Sequence, residues 1–130
     1  EGFDRERLQA TSYHCSIGLR GFIYPTGGTE PRAVATKPGL VLKRGQMVTL
    51  STRESITLPA RIRATVMGLT EQWGGRFVQP FFQVLYEPNM SGPITFGLLN
   101  HGPYELNLQE GEPCLALSFE YLAHEPVAAV

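Results

Sequence analysis

The chain has 130 residues, 42% of them hydrophobic and 18% charged, with a net charge of −1 at pH 7. That length and balance suit one globular domain, residues 1–130, with a core large enough to stand without disulfides. The near-neutral charge argues against a general nucleic-acid or membrane-surface binder, and no apolar run approaches the ~18 residues of a membrane span.

In chain order, the charged opening at residues 1–9 has no signal-peptide pattern, and residues 4–10 suit one or two helical turns. Residues 12–18 read as a strand ending at a glycine, and residues 19–24 continue extended. Residues 25–38 are rich in Pro, Gly and Thr around Gly27-Gly28, the composition of a surface loop. Arg44-Gly45 permits a backbone reversal. Met47/Thr49 then alternate with Val48/Leu50, the period of a half-buried strand, and Leu58-Pro59 ends a following short strand.

Residues 60–68 alternate again, with Ile62, Ala64 and Val66 on one face and Arg61, Arg63 and Thr65 on the other. Residues 69–75 break the pattern. Residues 76–87 form an extended aromatic run in which Pro80 demands an edge strand or a break. Strands follow at 94–99 and 104–108, separated by an Asn-His-Gly-Pro turn. The last strand, 114–121, puts Leu115, Leu117, Phe119 and Tyr121 on one face and Cys114, Ala116 and Ser118 on the other; the remainder reads as a loose tail. Many short strands punctuated by Gly and Pro, with minimal helix, predict an all-β barrel or sandwich.

Cys15 and Cys114 lack the paired spacing of zinc ligands and are expected as reduced packing residues of a cytoplasmic protein. His14, His101 and His124 are scattered, so no metal or cofactor is expected. Trp73 admits two readings: core packing, or the wall of an apolar pocket.

The run Leu42 to Pro59, with its Ser51-Thr52-Arg53-Glu54-Ser55-Ile56-Thr57-Leu58-Pro59 ending, resembles the dCTP deaminase and dUTPase family. So do Ser12 to Gly18, with His14 where the family has Asp, and Gly102 to Gly111. The resemblance implies a dUTPase-like distorted barrel and a homotrimer with sites between subunits. Its phosphate-binding motif, Gly-Arg-Ser-Ser-Leu-Ala-Arg, falls on Gly68-Leu69-Thr70-Glu71-Gln72-Trp73-Gly74, which lacks both arginines and carries a carboxylate. A triphosphate needs guanidinium forks and neutral donors there. Glu87 falls where dUTPases place a water-activating aspartate. The strand Ile-x-Leu-Glu-x-x-Asn falls on Ile94 to Asn100, with Gly97 in place of the proton-shuttling glutamate. The chain also stops soon after Phe119, short of the family's nucleotide-closing segment, unless it has been truncated.

By family position the pocket candidates are therefore Leu69, Thr70, Glu71, Trp73, Phe82, Gln83, Glu87 and Gly97. The expectation is a small-molecule binding domain, nucleotide-like in its ligand, without deaminase or diphosphatase activity. Two alternatives stand beside it. One is an enzyme acting on an apolar substrate with Glu71, Glu87 or His14 as acid or base; the other is a structural or regulatory trimeric domain.

Overall fold

A computed structural model describes residues 13–25 and 30–123. Its ten strands are β1 (Tyr13–Tyr24), β2 (Arg32–Ala35), β3 (Leu40–Leu42), β4 (Met47–Thr57), β5 (Ile62–Gly68), β6 (Val78–Phe82), β7 (Leu85–Tyr86), β8 (Ser91–Asn100), β9 (Leu106–Leu108) and β10 (Pro113–Tyr121). One short helix, α1 (Thr70–Trp73), runs into a single 3-10 turn (Gly74–Arg76). The all-β expectation holds. The proposed N-terminal helical turns and the far C-terminal tail lie outside the described residues.

The main sheet runs β6-β8-β4-β1-β10-β5-β7 and curls into a half-barrel, with β3 and β9 forming a separate ribbon. Every pairing is antiparallel. β1 is long enough to serve two partners in succession: Tyr13 to Ser16 pair with β10, and Arg20 to Ile23 with β2. β4 takes its other edge. The two long strands approach closely where β1 is glycine. A Cβ on Gly18 would stand 2.6 Å from Ser51 O, and one on Gly21 would overlap Thr49 O.

β4 sets the parity of the sheet. Val48, Leu50, Thr52 and Glu54 all point inward and are buried. Leu50 lies opposite Phe96, which lies opposite Phe82, so these residues share the inner face. There they join a core that includes Ile17, Leu98, Leu115, Leu117 and Trp73. The period-2 rule placed this face correctly because a strand's side chains alternate strictly.

Several boundaries differ from expectation. The 25–38 segment contains β2, a four-residue strand hidden among its prolines and glycines. Within the 42–59 stretch, Met47–Thr57 is one continuous eleven-residue strand rather than two, and Leu42 ends β3. Pro80 sits in β6, at the end of the sheet, where a missing N–H is harmless, and the aromatic run breaks before β7. The 104–108 strand begins only at Leu106. In β10, Cys114, Leu115, Ala116 and Leu117 are all buried, whereas Phe119 and Tyr121 are exposed. The half of β10 beside β1 is covered on both faces, so parity there does not separate inside from outside.

Candidate functional site

The outer face of the sheet carries a row read directly from the strand register. Phe81 lies opposite Gly97, Gly97 opposite Thr49, Thr49 opposite Phe22, and Phe22 opposite Ala33. Directly opposed residues project to the same side, so five strands contribute to one surface line. Phe22 and Phe81 are 51% and 43% exposed, too much for core residues. Beside this row is a cavity of about 420 Å³, lined by Arg20, Phe22, Ala33, Thr49, Ser51 and Thr95 among others. That volume lies within the roughly 300–1,000 Å³ range of small-molecule sites.

Local structure accounts for each lining group. Thr49 and Ser51 occupy the outward positions of β4, whose alternate residues hold the core. Thr95, opposite Ser51 on β8, is outward by the same parity. Arg20 and Phe22 occupy alternate positions of β1, and β2 closes the side through Ala33 and Val34. Among the described residues, the Arg20 guanidinium makes no hydrogen bond or ion pair. The lining thus combines one guanidinium, three hydroxyls and an aromatic ring. Among the described residues it contains no carboxylate, imidazole, thiol or amine. Such a set can grip an anion and stack a ring, but it has nothing to exchange a proton near neutral pH.

Gly97 is not among the lining residues but lies directly across from Thr49 and two residues along the same face from Thr95. A Cβ placed there would meet Val48 O at 3.6 Å, Phe81 Cβ at 3.7 Å and Thr49 Cγ2 at 3.9 Å, ordinary contacts. Neither crowding nor a positive φ requires glycine at this position.

The other sequence candidates do not converge on Gly97 within one chain. Trp73 is 1% exposed, with its indole N–H donating to Cys114 O at 2.9 Å and the Arg76 guanidinium 5.5 Å from its ring centre. It is a core residue on the inner side. Leu69 and Phe82 are half-buried and pack on that same core. Thr70 and Glu71 open α1, and their side-chain positions fall outside what the structure describes. Gln83 is exposed and donates to Leu85 O at 2.7 Å. Glu87 is exposed in the loop before β8, and His14 is half-buried on β1 opposite Ala116. Tyr86, facing Ala64, has its phenol raised above the ordinary value by burial, so it is a neutral hydroxyl rather than a base.

Sequence reasoning missed Arg20, Phe22, Thr49, Ser51 and Thr95 as a group. The alternation along β4 was visible, but the bulged register that joins β1, β4 and β8 was not. It also passed over Glu54, a carboxylate 2% exposed. Continuing the inward parity of Val48, Leu50 and Thr52 by two residues would have found it.

Among the described residues, no group of three His, Cys, Asp or Glu side chains is placed to hold a metal ion, and no helix is long and apolar enough to cross a membrane. Both cysteines are buried without a disulfide, and the Cys114 thiol donates to Cys15 O at 3.4 Å.

No family model matches the chain, and no curated protein matches it. Among solved structures it is similar to the 2'-deoxycytidine 5'-triphosphate deaminase from Agrobacterium tumefaciens, with a TM-score of 0.78 and 16% identity. The match covers 93% of this chain and 42% of that one. At that identity the likeness shows the fold: this is an all-β, dUTPase-like architecture, spanning less than half the length of the deaminase it matches.

Proposed function

We propose that this chain is a binding domain for a small anionic molecule bearing a planar ring, nucleotide-like in outline, and that it does not deaminate or hydrolyse nucleotides. The carrying observation is the outer-face cavity: among the described residues Arg20 and three hydroxyls line it and no proton-transfer group does, while Gly97 lies across the strand pair from its Thr49. The resemblance puts the deaminase glutamate at position 97. Glycine has no group to carry a proton, so attack of water on a pyrimidine ring would lack its relay. Leu69, Glu71 and Gly74, in place of the family's phosphate-gripping groups, favour a ligand with less charge than a triphosphate.

The same reading carries a homotrimer, since the resemblance sets sites between subunits. The exposed rings of Phe22 and Phe81 supply apolar surface beside the cavity for a second copy. Two buried thiols without a disulfide suit a reducing, cytoplasmic setting.

Calorimetric titration with dCMP, dUMP, dCTP and dUTP tests the reading, in parallel with assays for ammonia and pyrophosphate. Binding of a monophosphate at least as tight as of its triphosphate, weakened by Arg20→Ala and without product release, is expected. Release of ammonia or pyrophosphate would overturn it.

A further inference from the structure

A second cleft lies away from the outer-face cavity, where the 3-10 turn meets the loop between β8 and β9. It measures about 270 Å³ and is lined by Arg76, Phe77, Tyr104, Glu105 and Leu106 among others. That is just below the usual range for drug-sized ligands, so it suits a headgroup rather than a nucleotide.

Both aromatic walls are exposed at a cost the fold does not need. Phe77 adopts the left-handed conformation, φ 57° and ψ 41°, while its ring is 63% exposed. A bulky residue there is disfavoured, and Gly or Asn would serve the turn better. Tyr104 is 80% exposed. Neither ring is anchored by core packing, yet both backbones are fixed. Phe77 N donates to Gly74 O at 3.2 Å, and Phe77 O accepts from His101 N at 3.0 Å. Tyr104 O accepts from the buried Asn100 amide at 3.0 Å, and that side chain also accepts from Gly102 N at 2.9 Å. Strain held in place by a rigid surround, at a residue whose side chain faces solvent, marks a position shaped for something outside the chain.

Charge selects the ligand. Arg76, the cleft's cation, is already engaged: Nη1 lies 3.5 Å from Glu112, Nη2 donates to Asn107 O at 3.3 Å, and its guanidinium stacks over Trp73. Glu105 pairs with no cation among the described residues. What remains open to a ligand is two electron-rich ring faces and one carboxylate. Aromatic faces attract cations through the ring quadrupole, most strongly those with diffuse, weakly hydrated charge.

We propose that the Phe77–Tyr104–Glu105 cleft binds the quaternary ammonium group of a small molecule. This site is independent of the outer-face cavity and of the reading given to it. The test is NMR titration of the full chain with choline and with its uncharged isostere 3,3-dimethylbutan-1-ol. Choline should shift the Phe77, Tyr104 and Glu105 signals saturably in the millimolar range, with the isostere about tenfold weaker. Tyr104→Ala and Phe77→Asn should each abolish the shifts, the first at the wild-type melting temperature and the second at the same or a higher one, and Glu105→Gln should weaken binding severalfold. Tyr24→Ala, an exposed aromatic elsewhere, should change nothing. Equal binding of the isostere, no saturable choline shift, or retained binding in a folded Phe77→Asn or Tyr104→Ala variant would overturn the assignment.

Discussion

Glu54 on β4 accepts two hydrogen bonds from Ser16 on β1, from the amide at 2.8 Å and from the hydroxyl at 2.7 Å. Both residues are buried, and the contact sits where the β1–β10 and β1–β4 registers shift. A bulge leaves backbone donors without a ladder partner, and the carboxylate supplies one. Glu54→Ala would strand these donors in the interior. The expected loss is about 1–3 kcal/mol for each stranded donor, read as a lower urea midpoint. Glu54→Gln keeps one acceptor oxygen and can donate to the rotatable Ser16 hydroxyl, so it should lose roughly half as much. Equal losses for the two variants would show that the full carboxylate, not a single acceptor oxygen, fixes the bulge, and an unchanged Glu54→Gln would show that filling the space suffices.

The glycines of the sheet should answer the same substitution with opposite signs. Gly21→Ala drives a methyl into Thr49 O between two paired strands and should destabilise by at least about 3 kcal/mol. Gly97→Ala meets ordinary contacts and removes unfolded-chain freedom, so it should stabilise by about 0.5–1 kcal/mol. Thermal denaturation of the pair decides. A destabilised Gly97→Ala would mean that the backbone itself needs glycine there.

Trp73 is the chain's single tryptophan and is buried, so its fluorescence reports global unfolding. Trp73→Phe would leave Cys114 O without its 2.9 Å donor and put a smaller ring beneath Arg76. A cost of about 1–3 kcal/mol is expected in chemical denaturation. No change would imply that the carbonyl finds another donor.

Asn100 ties three segments together. Its amide donates to Leu42 O at 2.9 Å and to Tyr104 O at 3.0 Å, while its oxygen accepts from Gly102 N. Asn100→Asp would set a carboxylate against two carbonyls with no donor to offer them. It should destabilise more than Asn100→Ala, which itself should cost about 2–3 kcal/mol. The reverse order in the denaturation midpoints would argue that the side chain is not a bridge.

Much of this architecture was legible from spacing. The alternation from Met47 to Leu50 set the inner and outer faces, and Pro80 located a sheet edge. β2 was not legible, because four residues between proline- and glycine-rich flanks carry too little periodicity. The exposure of Phe119 and Tyr121 was hidden for another reason: their side of β10 is covered only as far as Leu117. The outer-face cavity depends on register across β1, β4 and β8, and pairing partners far apart in the chain leave no local mark. Resemblance singled out position 97. The hydroxyls facing it emerged only once the strands were paired.

The most direct test is to supply dCTP to the purified chain and measure ammonia release, with Gly97→Glu assayed alongside. The prediction is no release above background from the wild-type chain, since among the described residues no proton carrier lines the outer-face cavity. Sustained release of ammonia by the wild-type chain, proportional to protein concentration, would contradict it.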